Sequence, residues 1–288
     1  FNVFKAYKML KKIIIDEKID IVHSHARIPS FILGKLHKKM KFPFVTTAHW
    51  VFTTKYGLKY ITDWGQQTVA VSEDIKKYLM DNYKIPEDHI IVTINGIDTD
   101  KFSPDTDCSK VKAEFGLLDK DNTIVYVSRL DESRSLVAKQ LLETVKTLNK
   151  NIDNLKVVVV GDGDDFDNVR KMADGINAEL GDNVIQLAGA RTNINEFVGV
   201  AKLFVGVSRA ALEAMAAEKP VVIAGNEGYI GLFDESKLDV GIKTNFCCRG
   251  CAESSSELLE KDILAFFALP EEKQSELGRY GREIIKKH

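Results

Sequence analysis

The chain has 288 residues with nearly balanced charge: 40 Lys and Arg, 42 Asp and Glu, and a formal net charge of −2. This balance argues against a dedicated nucleic-acid-binding protein, which usually carries a basic surplus. The 44% apolar content allows a sizeable core, and the length allows two domains of about 150 residues each. No apolar run approaches the ~18 residues of a membrane span, and the opening FNVFKAYKML does not resemble a signal peptide. Four cysteines do not make a disulfide framework, so a cytoplasmic protein is expected.

The first hundred residues alternate helical patterns with short β-branched runs. Helices are predicted over 2–17 and 29–41 and after the capping residue Ser72, and strands over 20–23, 44–47, 68–71 and 90–94. The turn pair Asn95-Gly96 closes the last of these strands.

The alternation restarts after a segment with little periodicity, 98–107, which is the expected linker. Strands are predicted over 124–127, 157–160, 184–187, 203–206 and 220–224, and helices over 136–149, 165–178, 193–201, 209–218 and most of 255–288. Continuous apolar strands between helices indicate parallel sheets covered on both faces. We therefore expect an α/β protein with two Rossmann-like lobes, residues 1–103 and 104–288.

The first lobe is expected to be incomplete at its N-terminus. A doubly wound domain usually opens with a strand and a glycine-rich turn. This chain opens with a helix and has only about four predicted strands before the linker.

Six groups of motifs follow one another along the chain: DIVHSH (20–25); TTAH (46–49); VAVS (69–72) with INGID (94–98) and FSP (102–104); VSRL (127–130); VGDG (160–163); and LEAMAA (212–217) with PVV (220–222). In this order they resemble the retaining glycosyltransferases of family four, which have the GT-B fold. The resemblance implies transfer of a hexose or N-acetylhexosamine from a nucleotide-diphosphate sugar, with a UDP-sugar favoured. The acceptor would be a glycan or lipid-linked molecule of cell-envelope polysaccharide assembly. It further implies no cofactor or metal besides this co-substrate, and a terminal helix (271–288) that returns to the first lobe.

Two arginines are the expected catalytic cations. Arg129 follows a strand, where open α/β sheets place ligands. The family has Lys five residues on, and here Arg134 stands at that place, followed by Ser135 instead of the usual glycine. Charge that builds on a leaving phosphate needs such donors. The alternative for either arginine is a surface salt bridge.

A helix that begins near Ser208 and Arg209 would present its N-terminal amides to the diphosphate. By resemblance, Glu213 would accept hydrogen bonds from the ribose; the alternative is a glutamate that merely favours the helix dipole. The family pattern Glu-x7-Glu is broken, because position 205 is Val. Glu227, in the glycine-punctuated stretch 225–231, is the expected substitute, unless this stretch is a plain strand-to-helix loop.

Three more residues complete the predicted donor site. Gly161 and Gly163 flank a tight turn after a strand, and Arg191 follows another strand and would lie beside the nucleotide base. For Arg191 a structural role is an equally open alternative.

In the first lobe, His25 would by resemblance lie near the reacting end of the sugar, and His49 on the acceptor side. The alternative for each is a buried histidine bonded to backbone. His23 shares the face of His25 by the two-residue period of a strand.

Two clusters have no fixed interpretation. Lys35, His37, Lys38, Lys39 and Lys41 indicate either a solvated helix end or a peripheral contact with an anionic membrane at its inner face. Cys247, Cys248 and Cys251 could supply three thiolates to zinc or an iron–sulfur centre, but a fourth ligand is not evident, and free buried cysteines are the alternative.

Two other functions remain open at this point. One is a sugar-nucleotide epimerase of GT-B type, against which the combination of Arg129 and Glu213 argues. The other is a non-catalytic nucleotide-sugar-binding protein, which the missing first glutamate and the arginine at 134 favour.

Overall fold

The chain forms two compact units, Phe1–Asn95 and Gly96–His288, in a computed structural model that describes residues 2–93 and 96–287. Ile94 and Asn95, which end the fourth predicted strand and open its turn, lie outside the described residues. The segment 98–107, predicted as a linker, is packed into the second unit. Phe102 is 5% exposed within that unit's core, and the guanidinium of Arg282 donates to the Phe102 carbonyl at 3.3 Å. The segment packs onto the second unit, instead of standing free as a linker, because the apolar Phe102 is buried in that core.

The first unit contains a parallel sheet with the strand order β1-β2-β3-β4. Its elements are α1 (Val3–Asp16), β1 (Val22–Ser24), α2 (Arg27–Met40), β2 (Phe44–Ala48), β3 (Gln67–Ala70), α3 (Glu73–Tyr83) and β4 (Ile90–Val92). The register pairs Ser24 with Thr46, and Thr46 with Thr68. The three helices and four strands predicted for this half are found, but the first strand lies at Val22–Ser24 rather than at 20–23, and the described part of the fourth ends at Val92.

Two apolar clusters hold this sheet to its helices. Ile14 of α1 and Leu36 of α2 pack with Phe44 of β2. Ile75 and Leu79, one turn apart on α3, pack with Trp64 and with residues of β2 and β3. The helical spacing of the apolar residues sets which face of each helix is buried.

The second unit is built on a sheet with the order β10-β9-β8-β5-β6-β7. Its elements are α4 (Ser109–Phe115), β5 (Asn122–Val127), α5 (Leu136–Asn151), β6 (Leu155–Val160), α6 (Phe166–Leu180), β7 (Ile185–Gly189), α7 (Ile194–Gly199), β8 (Leu203–Gly206), α8 (Ser208–Ala216), β9 (Val221–Gly225), β10 (Gly228–Leu232), α9 (Leu238–Lys243), α10 (Ser256–Phe267) and α11 (Glu271–Lys287). Strands β5 to β9 pair in parallel, whereas β10 is antiparallel to β9.

Helices cover both faces of this sheet, as predicted. Val157 and Val159 of β6 belong to the cluster that contains α5, α6 and α10, whereas Val158 and Val160 belong to the cluster that contains α8 and α11. A strand buried on both faces has no polar side and therefore reads as a continuous apolar run.

The terminal helix α11 packs against α8 of the same unit. A Cβ at Gly278 would lie 2.2 Å from the Glu218 carbonyl oxygen, so this approach requires glycine. The guanidinium of Arg282 donates to the Ala216 carbonyl, and Ile284 is buried. The return of this helix to the first lobe stays a prediction. Within the described ranges, no helix combines the length and hydropathy that a membrane crossing requires.

Candidate functional site

Four neighbouring parallel strands of the second unit end at one edge of the sheet. In the order β8-β5-β6-β7, the chain runs outward from β5 to β7 and then returns to the other side of β5 with β8. Loops that leave such a reversal point diverge and open a crevice at the carboxyl ends of the strands.

A cleft of about 640 Å³ opens there, within the size range of small-molecule sites. It is lined by Val127, Ser128, Arg129, Val160, Gly161, Asp162, Ala190, Arg191, Ile194, Arg209, Ala210 and Glu213. Five of the residues predicted for donor binding or catalysis therefore come together: Arg129, Gly161, Arg191, Arg209 and Glu213.

The three lining arginines differ in how their charge is balanced. Arg191 forms a bidentate ion pair with Glu114 (Nη1–Oε2 3.1 Å), donates from Nε to the Ala188 carbonyl at 2.9 Å, and lies 5.5 Å from the ring centres of Phe115 and Phe197. Its guanidinium is thus a fixed, neutralised plane. Such a plane suits a flat heterocycle better than a phosphate.

Arg209 pairs with Glu213 at 2.9 Å, whereas Arg129 has an exposed side chain and forms no ion pair within the described residues. Arg129 is therefore the lining cation whose charge remains available to an anion. The surface salt bridge considered as its alternative is not formed within the described part of the chain.

Arg134 lies in the loop between β5 and α5, outside the set that lines the cleft, and its Nη1 is 3.5 Å from Asp131 Oδ2. Asp165 anchors this loop. Its buried carboxylate accepts from the Ser135 hydroxyl and pairs with Lys139 Nζ at 2.5 Å. The bonds from Lys139, Ser135 and Asn168 lower the pKa of Asp165 to about 2. Ser135, in place of the family's glycine, is thus a buried hydrogen-bond donor.

The Gly-Asp-Gly turn packs backbone to backbone against the loop that carries Arg129. The Leu130 amide donates to the Asp162 carbonyl at 3.0 Å. A Cβ at Gly161 (φ +144°) would lie 1.7 Å from the Ser128 carbonyl oxygen, and one at Gly163 would lie 2.4 Å from the Leu130 carbonyl. Both glycines therefore position the loop, and of the two Gly161 also lines the cleft.

The start of α8 differs from the prediction at Ser208 and at Glu213. The Ser208 amide donates to the Phe246 carbonyl at 2.7 Å, so this amide is committed to the fold rather than to a ligand. Ser208 itself has a left-handed φ of +54°. Glu213 does not open the helix: it is the sixth residue of α8, with its side chain 13% exposed at the cleft. Val205 is fully buried in β8, so no carboxylate stands eight residues before Glu213.

The stretch 225–231 is not a strand-to-helix loop. Gly225 pairs with Gly228, so residues 226 and 227 form the tight turn of the β9–β10 hairpin. Glu227 pairs there with Arg249 Nη1 at 3.1 Å, and the Asn226 side chain donates to the Ser133 carbonyl. Glu227 is not among the residues that line the cleft in the described structure, and its role as a sugar ligand stays a prediction.

Three histidines cluster at the ends of β1 and β2 in the first unit. His25 Nδ1 and His49 Nε2 are 2.9 Å apart, and the rings of His23 and His25 are 4.2 Å apart, which confirms their shared face. The side chains are exposed and bond to one another and to the Thr47 hydroxyl (2.7 Å from His23 Nε2), rather than to backbone as the alternative supposed. Although these side chains contact solvent, partial desolvation, and then repulsion from the neighbouring histidines, lowers the pKa of His23 and of His49.

The cysteine cluster has no metal geometry: within the described residues, no group of three or more His, Cys, Asp or Glu side chains could hold a metal ion. Cys248 is fully buried, and burial raises the pKa of its thiol to about 12, as is typical of a free cysteine packed in a core. Cys247 is also buried and Cys251 is partly buried.

In the basic cluster, His37 turns inward and bonds to the Phe42 carbonyl at 2.6 Å. The four lysines of the cluster, Lys35, Lys38, Lys39 and Lys41, are exposed.

Several lining residues were not predicted individually. Ser128 and Ala190 directly follow strand ends, and Ile194 and Ala210 stand in the first turns of α7 and α8. Strand-end position was the signal that could have identified Ser128 and Ala190. Ile194 and Ala210 carry no chemical signal in the sequence, because an apolar residue at a helix start is equally typical of a core.

Two family models match the chain. The model of Glycosyltransferase Family 4 matches residues 2–101, and that of Glycosyl transferases group 1 matches residues 109–284, more than half of the chain.

Among curated relatives, the glycosyltransferase MJ1607 of Methanocaldococcus jannaschii is 24% identical over 254 residues. The match covers 78% of this chain and 63% of the length of that relative. N-acetyl-alpha-D-glucosaminyl L-malate synthase of Bacillus anthracis is 24% identical over 278 residues, 86% of this chain and 67% of that relative. Among solved structures, Anabaena HepE in complex with UDP-glucose matches with a TM-score of 0.72 at 14% identity, over 99% of this chain and 77% of that one.

These matches confirm the predicted α/β fold with two parallel-sheet, Rossmann-like units, which is that of GT-B glycosyltransferases. The match over residues 109–284 also covers the cleft at the ends of β8, β5, β6 and β7. The chain belongs to the family of glycosyl transferases group 1.

Proposed function

We propose that the protein is a glycosyltransferase that binds a nucleotide-diphosphate sugar in the cleft of the second unit. The observation that carries this proposal is the unbalanced charge of Arg129 at the carboxyl ends of four parallel strands. Burial of a diphosphate must be offset by charge-assisted hydrogen bonds. Arg129 and the first-turn amides of α8 beyond Ser208 supply them, Glu213 binds the ribose hydroxyls, and the plane of Arg191 lies along the base. The assisting role predicted for Arg134 requires that its side chain leaves Asp131 for the cleft.

The transferred group in this proposal is a hexose or N-acetylhexosamine, moved with retention to a glycan or lipid-linked acceptor of the cell envelope. The names of two similar proteins support this sugar class: one is solved with UDP-glucose, and the other is an N-acetyl-alpha-D-glucosaminyl L-malate synthase. Retention rests on the family resemblance, and the anomeric configuration of the product, read by NMR, decides it.

A donor screen tests the proposal. A ligand at 100 times its Kd stabilises a protein by about 2.7 kcal/mol, so UDP-glucose or UDP-N-acetylglucosamine is expected to raise Tm clearly, whereas the free sugars are not. Release of UDP from the stabilising donor then separates an enzyme from a non-catalytic nucleotide-sugar-binding protein, which would bind without release. Lack of stabilisation by any nucleotide sugar would remove the proposed donor site.

Glu213→Gln is expected to raise the KM for the donor on the order of tenfold, with a smaller change in kcat. The carboxylate accepts ribose hydrogen bonds that are similar in the ground and transition states, and loss of one charged acceptor costs about 1.5 kcal/mol. Steady-state UDP release measures both constants. Glu283→Gln, an exposed carboxylate of α11, is the matched control. An unchanged KM would place the ribose elsewhere.

We further propose that a lipid-linked acceptor is reached at an anionic membrane surface, through the exposed Lys35, Lys38, Lys39 and Lys41 of the first unit. Lys39 Nζ lies 5.8 Å from the ring centre of Tyr7, which places α1 beside these lysines. Phe4 and Met9 of α1 are 83% and 56% exposed. Basic residues together with exposed apolar ones are typical of interfacial binding.

The triple variant Lys35→Gln, Lys38→Gln and Lys39→Gln is expected to lose on the order of 10²-fold in affinity for vesicles that contain phosphatidylserine, at about 1 kcal/mol per lysine. Sedimentation with these vesicles, compared with pure phosphatidylcholine vesicles, measures the loss. The control replaces the exposed Lys120, Lys150 and Lys171 of the second unit by Gln. Equal sedimentation of both triple variants would exclude this surface.

A further inference from the structure

Two cavities of the second unit, of about 340 and 220 Å³, share a wall formed by Ala201, Lys202 and Lys219. Lys202 directly precedes β8, and Lys219 lies just before β9. Because these strands are parallel, both cavities lie at the amino-terminal edge of the sheet, opposite the cleft that Arg129 lines. The larger cavity falls within the size range of small-molecule sites.

Lys219 is the cation of this wall that lacks a counter-charge. Lys202 pairs with Glu271 at 3.6 Å, and Lys112, which lines the smaller cavity, pairs with Asp119 at 2.6 Å. Among the residues that the structure describes, none forms an ion pair or a hydrogen bond with the ammonium group of Lys219. Its charge is therefore available to an anion in either cavity.

The groups around Lys219 do not neutralise it. Burial lowers the pKa of Lys219, and Lys112 lowers it further, whereas Cys108 and Glu218 act in the opposite direction without restoring the ordinary value. Burial raises the pKa of the Cys108 thiol, so this neighbour is uncharged at neutral pH. An ammonium group that has lost part of its hydration is stabilised by a charge-assisted hydrogen bond, which a phosphate supplies well.

The larger cavity also offers acceptors for hydroxyl groups. Gln274 is 7% exposed, and its Nε2 donates to the Leu269 carbonyl at 2.9 Å, which sets the orientation of the amide. Within the described ranges, its Oε1 accepts no hydrogen bond, and a buried acceptor without a donor is unfavourable. Glu218 and Ser275 line the same cavity. A ligand that combines one anionic group with several hydroxyl groups matches this set.

We propose that this wall binds a phosphorylated sugar, with the phosphate at Lys219 and Lys202 and the hydroxyl groups towards Glu218, Gln274 and Ser275. A bare phosphate would fill only part of a cavity of about 340 Å³, and an uncharged sugar would leave Lys219 without an anion. The site shares no lining residue with the cleft at the carboxyl ends of the strands, so it does not depend on the proposed transfer reaction.

Calorimetric titration with glucose 6-phosphate tests the site. The parent protein carries Arg129→Ala, so that phosphate binding in the other cleft does not contribute. Adding Lys219→Met is expected to raise the Kd on the order of 10–10²-fold, the effect of losing a hydrogen bond to a charged group. Lys219→Arg keeps the charge and should retain most of the affinity. Lys202→Met should cause a smaller loss, because Lys202 already pairs with Glu271.

Lys156→Met is the matched control. Its side chain is 19% exposed and its Nζ lies 3.5 Å from Asp182, and it is not among the described residues that line either cavity. This variant should leave the Kd for glucose 6-phosphate unchanged. Inorganic phosphate should bind more weakly than glucose 6-phosphate, and free glucose should not bind.

Three results would overturn the proposal. An unchanged Kd in Lys219→Met would mean that this lysine only favours the C-terminal end of α8. Displacement of glucose 6-phosphate by UDP would place the ligand in the other cleft, and equal affinity for inorganic phosphate would exclude a sugar phosphate. If UDP-glucose and UDP-N-acetylglucosamine neither stabilise the protein nor release UDP while glucose 6-phosphate binding still depends on Lys219, the proposed function fails and this site stands.

Discussion

Arg129→Ala is expected to lower kcat/KM for UDP release by on the order of 10²–10³, as does loss of one donor from an oxyanion site. Arg129 lines the cleft and has no ion-pair partner within the described residues, so its whole charge is available to a leaving phosphate. The contact strengthens as negative charge builds on that oxygen, and therefore most of the loss should appear in kcat. Steady-state and single-turnover measurements of UDP release separate the two constants.

The matched control for this variant is Arg170→Ala. Arg170 lies on α6 with its side chain 54% exposed, pairs with Asp167 and lies 5.2 Å from the centre of the Phe166 ring. Its loss should change kcat/KM by less than twofold. If Arg129→Ala behaved like this control, the proposed phosphate role of Arg129 would be wrong. Membership of the family would then support the fold but not the proposed donor site.

Gly161→Ala is expected to destabilise the second unit by about 3 kcal/mol or more. At φ +144° a side chain is strained, which costs about 1–3 kcal/mol by itself. The added Cβ would also lie 1.7 Å from the Ser128 carbonyl oxygen, so the backbone of 161 or of 128, next to Arg129, has to shift. Urea unfolding measures the free energy, and thermal shift with UDP-glucose should show weaker donor binding in the same variant.

Gly175→Ala is the control for this substitution. Gly175 lies inside α6, and a Cβ there would meet no atom within 4 Å. Alanine favours a helix interior over glycine by about 0.5–1 kcal/mol, so this variant should be slightly stabilised. If Gly161→Ala unfolded at the urea concentration of the wild type, the packing of 161–163 on 128–131 would be wrong.

The buried parallel strands and the order of the motifs followed from the sequence alone. The runs at 157–160 and 203–205 are continuous in Val, Leu and Phe, and a strand that is buried on both faces requires apolar side chains on both. Arg129 and Gly161 were identified because ligand-binding loops in this fold follow strands directly, so strand prediction was enough to locate them.

Shorter elements were missed where the local signal is weak. The helix α4 covers only Ser109–Phe115, and α9 only Leu238–Lys243. The strand β10 contains Gly228 and Gly231 and was interpreted as part of a loop. Glycine lowers strand propensity, and β10 exists because it pairs with β9 and because Tyr229 bonds to Ala252. Those partners are set by tertiary contacts.

The partners of charged and polar side chains were decided by the tertiary structure alone. Arg129 and Arg134 are chemically identical in the sequence, yet the fold places one at the cleft and the other beside Asp131. Arg191 meets Glu114 across 77 residues, and His25 meets His49 across 24. Hydrogen bonds and ion pairs act over a few ångströms, whereas sequence patterns report only which face of a strand or helix is buried. The sequence therefore determined which strands carry the site, and the three-dimensional packing determined which of its charges a ligand can use.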